Sequence, residues 1–151
     1  MKHVIEYRKL FNVDQDTDLA ALKISYRNLM KEWHPDKFVT DDEKKAEAEI
    51  KSKAIIEAYH FLVSISPETH ATNLEEYTLT TTTSGIDDFI YKAQRLKITF
   101  QDGSVYEYIG VPRNIYNKLL TSSALPRFAR RHIFDSYLYR NISKQTATAE
   151  V

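Results

Sequence analysis

Apolar positions in the first half of the chain recur with a helical period. Leu19, Leu22, Tyr26, Leu29 and Trp33 are spaced by 3, 4, 3 and 4 residues, so they share one helix face. Asp18 is placed to cap that helix. Pro35 ends it, because proline disfavours helical geometry at His34. A shorter helix is predicted over Ile5–Phe11. Thr40 or Asp41 caps a third, running to about Val63 with Ile55, Ala58, Tyr59 and Leu62 inward. Two antiparallel helices joined by a loop at 34–40 make a helical hairpin.

The pattern changes after Ser66-Pro67. Residues 66–85 are rich in Ser and Thr and include Thr80-Thr81-Thr82-Thr83-Ser84-Gly85. β-branched residues suit a pleated sheet, so 71–83 reads as linker or first strand, with a domain boundary near residue 70. Beyond it, Arg95–Gln101 and Ser104–Gly110 alternate around Asp102-Gly103, the signature of a type I′ hairpin. A two-residue loop there pairs Phe100 with Val105, Thr99 with Tyr106, Ile98 with Glu107, Lys97 with Tyr108 and Leu96 with Ile109. One sheet face then carries Leu96, Ile98, Phe100, Val105 and Ile109. The other carries Arg95, Lys97, Thr99, Tyr106 and Tyr108. Helices follow at 112–121, opened by Pro112 with Ile115, Tyr116, Leu119 and Leu120 on its apolar side, and at Leu125–His132. Ser136–Ile142 reads as a closing strand. The second domain thus spans 84–142, and 143–151 reads as a disordered polar tail. The fold class is two domains, an all-α hairpin followed by a small α+β domain with an antiparallel sheet.

Charge refines this division. The 151 residues carry 21 Lys plus Arg and 21 Asp plus Glu, so net charge selects no partner. Residues 1–70 hold 11 basic and 13 acidic side chains; residues 92–144 hold 10 against 3. The basic stretch suits phosphate or an acidic partner. There is no cysteine, which excludes disulfides and thiolate metal sites and suits a reducing compartment. No apolar run is long enough to span a membrane, and the N-terminus lacks a signal-peptide pattern. The expectation is a cytoplasmic protein without metal or cofactor.

The hairpin loop carries the strongest motif. Lys23, Arg27 and Lys31 line one face of the second helix at i, i+4 and i+8, and that face ends at His34-Pro35-Asp36. Pro35 stiffens the loop, and Asp36 offers a carboxylate to a partner arginine. A charged helix face is usually only a solvated one. A His-Asp pair flanking a proline has no nucleophile or relay beside it, which argues against an enzyme. The segment Tyr26-Arg27-Asn28-Leu29-Met30-Lys31-Glu32-Trp33-His34-Pro35-Asp36-Lys37, preceded by Ile5–Val13 and followed by Glu57-Ala58-Tyr59 and Leu62, resembles the J-domain family over residues 5 to about 66. The resemblance implies docking on a DnaK-type chaperone ATPase and acceleration of its ATP hydrolysis. Carried over by position, the contacts are Lys23, Arg27, Lys31, His34, Pro35 and Asp36. Two departures point to the opposite possibility, a silent J-domain. Ser52 stands where the third helix commonly packs an aromatic residue, and Ser66-Pro67-Glu68-Thr69-His70 is at most a remnant of a fourth helix. No Gly/Phe-rich segment follows, so the second domain is expected to bring the client or the location.

That second domain, through Leu96-Lys97-Ile98-Thr99-Phe100, Asp102-Gly103-Ser104-Val105-Tyr106-Glu107-Tyr108 and Gly110-Val111-Pro112, continued by Arg131-His132-Ile133 and Tyr137-Leu138-Tyr139, resembles the KTSC domain. It departs where Ala124-Leu125-Pro126-Arg127 replaces a common glycine. The synthetase context of that family suggests RNA. In the hairpin register above, Tyr106 and Tyr108 join Arg95 and Lys97 as a stacking platform, with Arg127, Arg130 and Arg131 adding a cationic cluster. The alternative packs the tyrosines beneath a helix. The leading expectation is a co-chaperone whose second domain binds a client. The others are an RNA-associated adaptor and an interaction module with a silent J-domain.

Overall fold

Helix caps and prolines set the N-terminal elements. In a computed structural model, residues 2–143 are described. They divide into two compact units, Met1–Ala71 and Thr72–Val151. The first holds α1 (Lys2–Phe11), α2 (Leu19–Trp33), a 3-10 turn (Pro35–Phe38) and α3 (Asp42–Ile65). Asp18 caps α2 by accepting from the Ala21 amide at 2.8 Å, and Asp41 caps α3 by accepting from Lys44. Val4, Phe11, Leu22, Ala48, Ile55, Ala58, Phe61, Leu62 and Ile65 form the buried core. Tyr26 of α2 stacks on Tyr59 of α3 with ring centroids 4.2 Å apart. Ser52 is buried, and its hydroxyl donates to the Glu49 carbonyl at 3.1 Å. A small back-bonded side chain therefore occupies that core position.

Residues 71–83 are neither linker nor strand. They belong to α4, which runs Pro67–Thr83. The threonines tolerate helix because their hydroxyls donate back along it, Thr81 to the Tyr77 carbonyl at 2.9 Å and Thr82 to that of Thr78 at 2.6 Å. Tyr77, Thr80 and Thr81 are buried, a helical spacing that packs into the second unit's core. Within Ser66–His70, Ser66 ends α3 and Pro67–His70 is the start of a full helix. Its Glu68 carboxylate accepts from the Leu19 amide at 2.9 Å, adding a second cap to α2.

The second unit continues as β1 (Ile86–Lys92), β2 (Arg95–Phe100), β3 (Val105–Ile109), α5 (Arg113–Thr121), α6 (Leu125–His132) and β4 (Leu138–Asn141). The four strands form an antiparallel sheet in chain order. α4, α5 and α6 contribute Tyr77, Leu119 and Ala129 to a core with Leu96, Ile98, Phe100, Tyr106 and Tyr108. The 143–151 tail lies outside the described residues except for Ser143. That residue is bonded onto the sheet, its hydroxyl accepting from the Val105 amide at 2.7 Å.

The hairpin register differs from expectation by one residue. Thr99 pairs with Val105, Ile98 with Tyr106, Lys97 with Glu107 and Leu96 with Tyr108. The loop has three residues, Gln101-Asp102-Gly103, closed by the Phe100 amide to the Ser104 carbonyl at 2.8 Å and the Gly103 amide to the Phe100 carbonyl at 3.0 Å. Gly103, at φ 90°, supplies the left-handed residue that such a loop requires. The two-residue turn with both φ positive lies instead between β1 and β2, at Ala93 (φ 52°) and Gln94 (φ 62°). A one-residue slip moves each side chain of a strand relative to its partner's faces, so Tyr106 and Tyr108 join Leu96, Ile98 and Phe100.

Candidate functional site

The loop after α2 is organised by its own histidine. His34 leaves the helix at φ −64°, ψ 130°, the extended geometry imposed by the following proline. Its Nδ1 accepts from the Asp36 amide at 3.2 Å and caps the Pro35–Phe38 turn. A second closure runs from the Lys37 amide to the His34 carbonyl at 3.0 Å. The Asp36 carboxylate lies 3.5 Å from the same Nδ1. One nitrogen cannot accept from an amide and donate to a carboxylate together, and the hydrogen bond in place is the one from the amide. The side chain of Asp36 is 90% exposed and that of His34 52%. Lys23, Arg27 and Lys31 lie on α2, where Leu22 is buried and Tyr26, Leu29 and Trp33 are partly buried. All six expected contact residues therefore lie on α2 or in its terminal loop.

Two features at the foot of the loop had no sequence signal beyond composition. The Lys51 ammonium of α3 sits 5.4 Å from the Trp33 ring centroid, a cation–π contact that ties α3 to the end of α2. Trp33 and Phe38 also line a shallow depression of about 270 Å³ with Glu32, Lys44 and Glu47.

The expected stacking platform is not assembled. Tyr106 and Tyr108 are 1% and 0% exposed, on the sheet face opposite to Arg95 and Lys97. The Tyr77 hydroxyl donates to the Phe134 carbonyl at 2.9 Å and lies 3.0 Å from the Tyr108 hydroxyl. The Tyr106 hydroxyl is buried and makes no hydrogen bond. Burial, which disfavours the phenolate, pushes the Tyr106 hydroxyl up to about 12 and raises those of Tyr77, Tyr108 and Tyr139 above their ordinary value. On the other face, Glu107 accepts from Arg140 Nε at 3.0 Å and Arg95 Nη1 at 3.4 Å. Arg127, Arg130 and Arg131 are exposed on α6. Arg130 donates to the Thr82 carbonyl at 3.3 Å near the end of α4.

A helical hairpin with a basic face ending in a capped His-Pro-Asp loop resembles a J-domain, here with an α+β unit after it. The chain matches the DnaJ domain over residues 6–69 and the KTSC domain over residues 82–137. It is 42% identical over 57 residues to the chaperone protein DnaJ of Thermoplasma volcanium, covering 38% of this chain and 15% of that protein. It is 37% identical over 59 residues to human DnaJ homolog subfamily B member 3, covering 39% of each. DnaJ of Thermotoga maritima is 39% identical over 57 residues, 38% of this chain and 15% of its own length. The chain therefore spans well under half of these relatives. Among the described residues, no helix is long and apolar enough to cross a membrane.

Proposed function

We propose that this protein is a co-chaperone that docks on a DnaK-type chaperone and stimulates its ATP hydrolysis. The observation that carries the reading is the row Lys23, Arg27 and Lys31 along α2, ending at a loop that is internally capped by His34. The row steers the helix towards an acidic surface. The capped loop and the fixed φ of Pro35 reduce the entropy lost on docking. Asp36 is left free to receive an arginine of the partner. Ser52 does not argue for a silent J-domain, because its side chain is accommodated in the core without a buried unpaired donor. The chain performs no chemistry of its own in this reading. It works in a reducing cytoplasm, and the KTSC unit holds the client or sets the location.

The test is single-turnover ATP hydrolysis by a cognate DnaK. The wild-type protein raises the rate, and His34→Gln abolishes the increase while circular dichroism stays unchanged. Absence of stimulation by the wild type would sink the reading.

A further inference from the structure

We propose that the α5–α6 layer of the second unit is a binding surface for the phosphate backbone of nucleic acid, indifferent to base sequence. From Tyr108 to Phe134 there are five Lys or Arg residues and no Asp or Glu. Arg113 and Lys118 are exposed on α5, and Arg127, Arg130 and Arg131 on α6. Among the described residues, the unit's acidic side chains lie elsewhere: Glu75 and Glu76 on α4, Asp87 and Asp88 on β1, Asp102 in the β2–β3 turn, Glu107 between two arginines, and Asp135 beyond α6. The unit is thus electrically polarised although the whole chain is neutral.

The bland explanation is that basic residues stabilise helix C-termini. It accounts for Arg130 and Arg131, in the last turn of α6. It does not account for Arg113 and Arg127. Both stand in the first turn of a helix with no acidic residue there, against the positive end of the dipole; Arg113 also lies over the Tyr91 ring, 5.6 Å from its centroid, which gives it a place in the unit's own packing. Among the described residues, Arg127 and Arg131 have no acidic partner, whereas Glu107 on the sheet is paired twice. Charge that opposes its own helix and has no acidic partner among the described residues, as at Arg127, is better explained by an external anion.

Nucleic acid fits this surface better than an acidic protein. Protein interfaces centre on aromatic and aliphatic anchors. Here the exposed neighbours are Asn114, Asn117 and Thr121, with Leu120 as the one strongly exposed large apolar side chain on the two helices. Polar, cationic surfaces are typical of phosphate contact. Tyr106 and Tyr108 are buried and offer no ring for base stacking, so the surface grips phosphates without reading bases. The proposal is independent of DnaK docking.

The full chain is titrated with labelled duplex RNA and single-stranded RNA of two unrelated sequences, at two low salt concentrations. Binding is expected to each, falling steeply with salt. Arg127→Glu combined with Arg131→Glu weakens it about tenfold or more and flattens the salt slope by about 2, one for each phosphate no longer neutralised. Arg130 is left alone because it also holds α4. Lys23→Glu with Arg27→Glu, on the first unit, leaves RNA binding intact. No RNA binding at low salt overturns the proposal, as does loss with the Lys23/Arg27 pair in place of the Arg127/Arg131 pair. A polyglutamate peptide that binds where RNA does not reassigns the surface to an acidic protein. A strong preference between the two sequences overturns backbone recognition.

Discussion

Tyr106 and Tyr108, on the same strand face, have different roles in the core: the Tyr108 hydroxyl meets that of Tyr77 on α4, and the Tyr106 hydroxyl meets none. Tyr77 donates to the Phe134 carbonyl and meets the Tyr108 hydroxyl, so Tyr77→Phe strands two buried polar groups. It should cost about 1–3 kcal/mol in chemical denaturation. The Tyr106 hydroxyl is buried without a partner, so Tyr106→Phe should be neutral or stabilising in the same measurement. Alkaline titration tests the burial of both. A phenol whose folded value is raised above its unfolded value contributes stability that is complete below the unfolded value. That contribution is lost as pH rises through the folded one. For Tyr106 the window runs from its ordinary value of 10.0 to about 12. A denaturation midpoint that stays level across this window contradicts burial of the tyrosine face. In sequence these residues were ambiguous, because tyrosine serves equally as an exposed stacking ring and as a buried ring with a polar tip. The His-Pro-Asp loop was legible, since proline geometry is a purely local effect, whereas the His34 cap on the turn emerged only from the structure.

Elements with local signals were legible, and those set by tertiary contact were not. Asp18, Asp41 and Pro35 marked α2 and α3 because caps and proline act within one turn. α4 was hidden by its threonines, whose strand preference is overridden by back-bonding and by burial of Tyr77, Thr80 and Thr81. Their i, i+3, i+4 spacing, with no glycine or proline from Glu68 to Ser84, was the available signal. β1 was missed for a similar reason, as Ala93-Gln94 has none of the usual turn residues. That turn carries an avoidable strain. Gln94→Gly places glycine at φ 62° and should raise stability by roughly 0.5–1 kcal/mol, relief of left-handed strain outweighing added chain entropy. An unchanged or lower urea midpoint would contradict the turn's conformation. Conversely, Asp102-Gly103 was a correct turn signal with the wrong loop length, and the extra residue put both tyrosines on the other face from that expected.

At the scale of the molecule, the folded second unit is larger than its family match. Residues 82–137 match the KTSC domain, yet Tyr77 lies in the same buried core and Tyr139 packs against it. Removing an aromatic side chain of that kind costs about 3–5 kcal/mol. A unit of this size holds only about 4–10 kcal/mol in total. A fragment of residues 72–143 should therefore fold cooperatively, and one of residues 82–143 should not. Equal thermal transitions for the two would show α4 to be dispensable. The domain families were legible because their motifs are short and contiguous. The extent of the second unit was not, because it depends on a helix whose role is fixed only by what it packs against.

Trp33 is the chain's single tryptophan, and it adjoins His34 with the Lys51 ammonium over its ring. The protein thus carries its own optical probe at the proposed point of contact. Excited at wavelengths that tyrosine does not absorb, its emission comes from the foot of the loop alone. Capture by a tryptophan-free chaperone would change that emission in colour or intensity, so docking can be timed without attaching a dye.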